Sequence, residues 1–139
     1  MLDKRIVDFI KEHYLLTLAT SKKNIPYCSN VFYIYDEKNN SLIFSSDIKT
    51  RHAQEFSKNL NTAGAIALET KDIQKIQGVQ LLGEINELKG KELEKANKQY
   101  LNTYPYARTM NLHLWEMKLT FIKMTYNQLE FGRKLVWEK

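Results

Sequence analysis

The feature that most constrains this fold is a change of side within one long strand-like run, residues 114–124. Four large apolar residues recur at every second position and share one face of the predicted strand: Trp115, Met117, Leu119 and Phe121. Ile122 and Met124 then fall on the opposite face, because successive side chains of a strand point to opposite sides. A slip of one residue needs a β-bulge or a change of neighbouring strand. The run therefore predicts a sheet that bends and closes on itself.

Two other segments favour a closed sheet. Residues 76–88 are long enough for a strand bent at Gly78 or Gly83, since glycine within a strand commonly marks a bulge or a barrel corner. In the preceding strand, residues 62–69, small residues occupy one face, and we expect another surface to pack closely against it. That face contains Ala63, Ala65 and Ala67.

The rest of the pattern adds peripheral helices to the sheet. An amphipathic helix opens the chain, three strands follow as a meander, a second helix begins near Thr50, and a third ends before Pro105. The count is about seven strands and three helices without a βαβ rhythm, which predicts a mainly β fold with peripheral α-helices. At 139 residues, the chain is expected to form a single domain, 1–139.

Composition excludes several classes of protein. Cys28 is the only cysteine, so an internal disulfide and a multi-thiolate metal site are excluded, and we expect a buried structural thiol. No apolar run has the length of a membrane span, and the first ten residues lack the pattern of a secretory signal, so we expect a cytoplasmic protein. The net charge of +5 suggests nucleic-acid binding, but most of the basic residues alternate with acidic ones, which argues against it.

The junction between the third strand and the second helix, residues 45–52, is unusually basic. Lys49 and Arg51 lie where a helix begins, although the positive end of the helix dipole disfavours cations there. With the hydroxyls of Ser45, Ser46 and Thr50, they suit a phosphomonoester. Two solvated cations beside an ordinary capped helix explain the same residues, and local sequence does not separate the two interpretations.

Catalytic motifs of the common kinds are absent from the sequence. The three histidines, His13, His52 and His113, do not show the spacing of a nucleophilic triad or of a metal site. Neither a G-x-G-x-x-G nor a P-loop pattern occurs, so an anion site must be of another type. We therefore expect neither a hydrolase nor a metal centre.

Several separated motifs resemble the pyridoxamine 5′-phosphate oxidase-like, FMN-binding split-barrel superfamily, over nearly the whole chain. The likeness is greatest to a small, functionally uncharacterised bacterial branch. The matching segments are Ser29-Asn30-Val31-Phe32-Tyr33, Lys49-Thr50-Arg51-His52-Ala53-Gln54, Gly78-Val79-Gln80, Trp115-Glu116 and Phe131-Gly132. The resemblance implies an antiparallel split β-barrel of six to seven strands that forms a homodimer with FMN at the interface.

The resemblance also implies roles for individual residues. Lys49 and Arg51, with hydroxyls from Ser45, Ser46 or Thr50, would hold the FMN phosphate. The backbone and side chains around Asn30 and Val31 would meet the isoalloxazine edge, and Gln80 and Trp115 would approach it from the partner chain. The implied function is that of an FMN-dependent oxidoreductase with an unknown substrate, in which the flavin performs the hydride chemistry.

One departure and two alternatives accompany this interpretation. The chain ends at Leu135-Val136-Trp137-Glu138-Lys139, without the longer segment that is diagnostic of true pyridoxamine phosphate oxidases, which argues against vitamin B6 oxidation. Because some relatives of the fold bind or degrade haem, a haem protein with His13, His52 or His113 as ligand is the first alternative. A non-enzymatic nucleic-acid-binding barrel is the second.

Overall fold

The computed structural model describes residues 2–139 and contains seven strands and three α-helices in that range, the numbers that the sequence predicts. The helices are Lys4–Glu12 (α1), Arg51–Lys58 (α2) and Gly90–Thr103 (α3). The strands are Leu15–Lys22 (β1), Ile25–Asp36 (β2), Ser41–Ser45 (β3), Asn61–Ala67 (β4), Gln77–Glu87 (β5), Leu114–Tyr126 (β6) and Lys134–Glu138 (β7). Short 3₁₀ turns occur at Ile73–Lys75 and Pro105–Thr109.

The strands form one antiparallel sheet in the order β3-β2-β1-β4-β5-β6-β7, and a further pairing of β3 with β6 closes six of them into a barrel. Strand β6 closes the barrel because two partners share one of its edges. Residues 114–118 of β6 pair with β3, whereas residues 121–125 pair with β7. The predicted closed, mainly β architecture is confirmed.

A bulge in β6 lies where β6 changes partners. Leu82 is opposite Phe121 and Gly83 is opposite Leu119, so Thr120 is the extra residue. The change of side predicted from the sequence is confirmed, but the placement of Phe121 on the face of Leu119 is wrong. The bulge precedes Phe121, which therefore shares the outer face with Leu82.

Apolar side chains fill the barrel interior, and α1 and α2 pack against them. Phe9, Phe44 and Phe56 are each at most 3% exposed within this core. A second, smaller cluster lies beneath α3. Helices α1 and α2 each begin at a side-chain cap. Asp3 accepts a hydrogen bond from the amide of Arg5, and Thr50 accepts one from the amide of Ala53.

The outer face of the sheet remains largely uncovered. Ala65 and Ala67 are exposed there and Ala63 is half-buried, while Ile66 points into the core. The expectation of a buried Cys28 is wrong, because the thiol is exposed. Strand β2 turns Val31 and Tyr33 inward, and alternation therefore directs Cys28 outward, opposite Ala19.

None of the helices in the described range is both long and apolar enough to cross a membrane. Within residues 2–139, no group of three or more His, Cys, Asp or Glu side chains is arranged to hold a metal ion.

Candidate functional site

The basic junction forms a compact site at the start of α2. Strand β3 ends at Ser45, and Thr50 is the N-cap of α2, whose first turn contains no acidic residue. Lys49 is exposed, and its amide donates to Asp47 Oδ1 at 2.8 Å. Among the described residues, no ion pair involves its Nζ. The start of α2 therefore presents a free cation.

Two neighbours hold the guanidinium of Arg51. Its Nε donates to Glu55 Oε2 at 3.0 Å, and its Cζ lies 4.1 Å from the centre of the Tyr27 ring. The hydrogen bonds found in residues 2–139 leave both Nη groups of Arg51 without a partner. Arg51 thus presents a fixed, forked donor pair, which is the geometry that binds a phosphate or carboxylate.

Glu55 is the buried anchor of this arrangement. Its carboxylate is 5% exposed and also accepts a hydrogen bond from Thr20 Oγ1 at 2.8 Å. The Thr20 hydroxyl, and then Arg51, hold the pKa of Glu55 below its ordinary value. Sequence reasoning did not identify Thr20, Tyr27 or Glu55. The four-residue spacing from Arg51 to Glu55, typical of an intrahelical ion pair, was the available signal for Glu55.

The hydroxyls of the junction are bonded within the protein. Ser46 Oγ lies 2.8 Å from His52 Nε2, and Thr50 Oγ1 lies 3.3 Å from the same nitrogen. Burial lowers the pKa of His52, which favours the neutral ring. Ser45 Oγ accepts the amide of His113 at 3.2 Å. Because Glu55 is engaged by Thr20 and Arg51, the Ser46–His52 pair lacks the carboxylate of a catalytic triad.

Trp115 belongs to the core beneath the junction. It is 4% exposed, its ring centre lies 4.7 Å from that of Phe56, and its Nε1–H donates to the Ser46 carbonyl at 2.9 Å. His113 stacks on its other side with ring centres 4.5 Å apart. Trp115 therefore fixes the backbone of the junction, and its predicted contact with a flavin of the partner chain remains a prediction.

Asn30 and Gln80 lie on the outer face of the sheet, away from the junction hydroxyls. Cross-strand pairing places Asn30, Thr17, Ala65 and Gln80 in one row, which puts the first and last about 14 Å apart within a chain. Thr17 Oγ1 donates to Asn30 Oδ1 at 2.8 Å. Val31 points inward and is 7% exposed, so its backbone is the part nearest this face.

A shallow apolar depression of about 390 Å³ lies along these rows. Its lining consists mostly of small and apolar side chains: Thr17, Ala19, Cys28, Ala63, Gly64, Ala65, Gln80, Leu81, Leu82 and Phe121. The structure therefore brings Ser45, Ser46, Lys49, Thr50 and Arg51 together at one loop. It places Gln80 in the apolar depression and Asn30 beside Thr17 on the same outer face.

The donor set at the junction fits a phosphate monoester. The free Nη groups of Arg51 and the Nζ of Lys49 are donors only. The first amides of α2 are donors as well, and they point out of the helix at its N-terminus, where anions bind. Asp47 is the acidic residue of the loop, and its carboxylate accepts the Lys49 amide. The residues present can hold the phosphate of FMN.

The chain is similar to known proteins both in sequence and in fold. The family model described as pyridoxamine 5′-phosphate oxidase matches residues 2–131. The UPF0306 protein PM1958 of Pasteurella multocida is 35% identical over 136 residues, covering 98% of this chain and 91% of the relative. The UPF0306 protein YhbP of Salmonella paratyphi A is 37% identical over 129 residues, covering 93% and 88%.

Solved structures share the fold at low sequence identity. A haem-binding protein from Mycobacterium smegmatis superposes with a TM-score of 0.77 at 17% identity, over 94% of this chain and 57% of the other. A FAD-binding protein from Mesorhizobium loti gives 0.72 at 11% identity, over 89% and 94%. From the family model and the close relatives together, this chain belongs to the pyridoxamine 5′-phosphate oxidase family, in a bacterial branch that includes the UPF0306 proteins.

Proposed function

We propose that this protein is a cytoplasmic FMN-binding flavoprotein that acts as an oxidoreductase, with its flavin held at the interface of a homodimer. The observation that carries the proposal is the fixed guanidinium of Arg51, held by Glu55 and Tyr27 with its Nη groups free beside Lys49. Family membership supports a flavin as the molecule that carries this phosphate.

The chain's own residues would bind and orient the cofactor. Lys49, Arg51 and the amides at the start of α2 would neutralise the phosphate, whose charge suits the positive end of the helix. The Thr50 hydroxyl caps α2 and donates to the Asp47 carbonyl, and Ser45 and Ser46 shape the loop through His113 and His52. The bound flavin would supply the hydride chemistry, so the protein need not contribute a catalytic side chain.

The outer face of the sheet supports the dimer. Its exposed alanines and the large apolar residues Leu82 (49% exposed) and Phe32 (45% exposed) leave an apolar surface uncovered, and such surfaces mark interaction sites. A second copy of the chain on this face would bury Ala65 and Cys28, and would bring the partner's outer-face side chains towards Asn30. We expect Gln80 of this face to be the side chain that the partner contributes to the flavin site.

The phosphate assignment is tested by comparing FMN with riboflavin, which lacks the phosphate. Flavin fluorescence quenching gives both affinities for the wild type, Lys49→Ala/Arg51→Ala and the control Lys58→Ala at the far end of α2. Losing charge-assisted hydrogen bonds of about 1.5–3 kcal/mol each should weaken FMN binding by at least tenfold and leave riboflavin binding unchanged. Equal losses for both flavins, or none for FMN, would contradict the assignment.

The dimer is tested by Ala65→Arg, which places a charge on the outer face, with Glu94→Arg on the exposed side of α3 as the control. Light scattering should give a dimer for the wild type and the control, and a monomer for Ala65→Arg. Cys28 gives a second measurement, since its thiol should react with Ellman's reagent faster in the monomeric variant. A monomeric wild type would refute the interface.

Haem is the second candidate, and one feature of His13 favours it. Its Nδ1 lies 2.9 Å from the Phe9 carbonyl, which only accepts, so Nδ1 carries the proton and Nε2 remains free, as in many metal-ligating histidines. His52 Nε2 is occupied by Ser46. A Soret band on adding haem that disappears in His13→Phe but persists in His113→Phe would replace the flavin proposal.

A further inference from the structure

A cavity lies away from the phosphate site, between the C-terminal end of α1, the last residues of β2 and α3. This α1–α3 groove measures about 620 Å³, within the range of small-molecule sites. It is lined by residues 10–14 at the end of α1, residues 33–35 of β2 and the last residues of α3 with Tyr104. Neither Lys49 nor Arg51 contributes to it, so the groove exists independently of the proposed flavin site.

Aromatic rings form one wall of the groove and continue beyond it. Tyr14 is 60% exposed, its ring centre lies 6.2 Å from that of Phe32, and Phe32 lies 5.8 Å from Tyr104. The Tyr104 hydroxyl donates to the Tyr33 carbonyl at 2.5 Å, which fixes the ring. Of these rings, exposed Tyr14 and half-buried Tyr104 line the groove and present apolar ring surface to a ligand.

His13 supplies an acceptor at the same groove. Its ring stacks on Phe9 with centres 4.1 Å apart, and its Nδ1–H donates to the Phe9 carbonyl. The neutral ring then carries an unprotonated Nε2, and the contacts of the described chain give that nitrogen no partner. The orientation of the acceptor is therefore set before any ligand arrives.

The open edge of β2 supplies a second pair of polar groups. Tyr33 directs its N–H to the Tyr14 carbonyl and its C=O to Tyr104, which places both groups on the side of β1. Tyr35, two residues further, directs its own N–H and C=O to that side, but β1 begins only at Leu15 and does not reach it. These two groups of Tyr35 therefore lie beyond the β1–β2 ladder, at the open edge of the sheet.

The charges at the groove indicate which ligands it excludes. Lys11 is paired with Glu37, so its charge is already neutralised within the protein. Glu12 leaves a carboxylate at the groove, which would repel an anion. The recognised molecule is thus one that offers rings and hydrogen bonds instead of negative charge.

We propose that the α1–α3 groove binds a planar heteroaromatic molecule that carries no negative charge and has an amide-like edge. Its ring would lie against Tyr14 and Tyr104. Its edge would accept from the Tyr35 N–H and donate to the Tyr35 C=O or to His13 Nε2. The proposal goes beyond flavin binding, and it identifies the class of small molecule that the protein recognises at a second site.

The test uses nicotinamide as the probe and chemical-shift titration as the measurement, on the full chain. Tyr14→Ala and His13→Phe should each weaken nicotinamide by at least about threefold, the equivalent of one modest hydrogen bond or ring contact. The matched controls are Phe131→Ala, an aromatic residue 70% exposed that lies outside the groove, and His113→Phe. Both controls should bind as the wild type does, and thermal unfolding checks that every variant is folded.

Three titration results would overturn the proposal. They are the absence of saturable nicotinamide binding, an equal effect of the groove and control variants, and binding of pyridine, which lacks the amide, as tightly as nicotinamide. A Soret band that requires His13 would overturn it as well, since haem would then occupy the groove. Lys49→Ala/Arg51→Ala should keep its nicotinamide affinity, so a failure of the flavin proposal is separable from a failure here.

Discussion

Replacing Gly83 with alanine should destabilise the barrel at the point where it closes. A Cβ built on Gly83 would lie 2.7 Å from the Lys118 carbonyl oxygen and 2.9 Å from Met117 Cγ. The carbonyl belongs to β6 beside the bulge, between two paired strands, so it cannot move aside without disturbing the sheet. At Gly64 the closest atom is instead Leu16 Cδ1, at 2.8 Å, which is the free end of a flexible side chain.

These contacts set the magnitude. Overpacking costs about 1–3 kcal/mol, and a clash with fixed backbone belongs in the upper part of that range, about 2–3 kcal/mol. Alanine recovers about 0.5–1 kcal/mol because it restricts the unfolded chain. Unfolding entropy of about 2.1 cal/mol/K per residue gives about 0.3 kcal/mol/K for this chain, so Gly83→Ala should lower Tm by about 3–8 °C.

Thermal unfolding followed by circular dichroism measures the difference, with Gly64→Ala as the matched glycine in the neighbouring strand. Because the closest atom at Gly64 belongs to a side chain and the nearest backbone atom, the Thr17 carbonyl oxygen, is 3.3 Å away, Gly64→Ala should lower Tm by less than Gly83→Ala does. Urea unfolding should give the same order of stabilities with an unchanged m value. A Gly83→Ala variant as stable as the wild type, or more stable than Gly64→Ala, would refute the account of barrel closure.

Three further predictions concern the junction and the core. Thr50→Ala should cost about 0.5–2 kcal/mol by removing the N-cap of α2, with Thr50→Ser as the control that restores stability in urea unfolding. Trp115→Phe should cost about 1–3 kcal/mol by leaving the buried Ser46 carbonyl without its donor, and Trp137→Phe should cost less in the same assay. Burial raises the pKa of Glu116 above its ordinary value of 4.5, so the folded state binds the proton more tightly. Wild-type stability should therefore fall as pH rises from 4.5 through that raised pKa, and a Glu116→Gln variant with the same decline would show that another group causes it.

The strand pattern was predictable because it depends on alternation, which is local. The run of residues 114–124 predicted a bulge or a change of neighbouring strand, and the structure has both near Thr120. Its position relative to Phe121 was not predictable, since a slip anywhere between Leu119 and Ile122 fits the same pattern of apolar residues. The exposure of Cys28 was not predictable for a similar reason, because alternation defines two faces of a strand without saying which of them is covered.

Charge and residue type in the sequence identified Lys49, Thr50 and Arg51 as candidates at one helix start, and the family motifs identified the fold. Only the tertiary structure showed what holds them. Tyr27 and Thr20 come from strands remote in sequence, and they contact Arg51 and Glu55 of α2. Local sequence determines which groups a segment offers, whereas long-range packing decides which of those groups are already bonded and which remain free for a ligand.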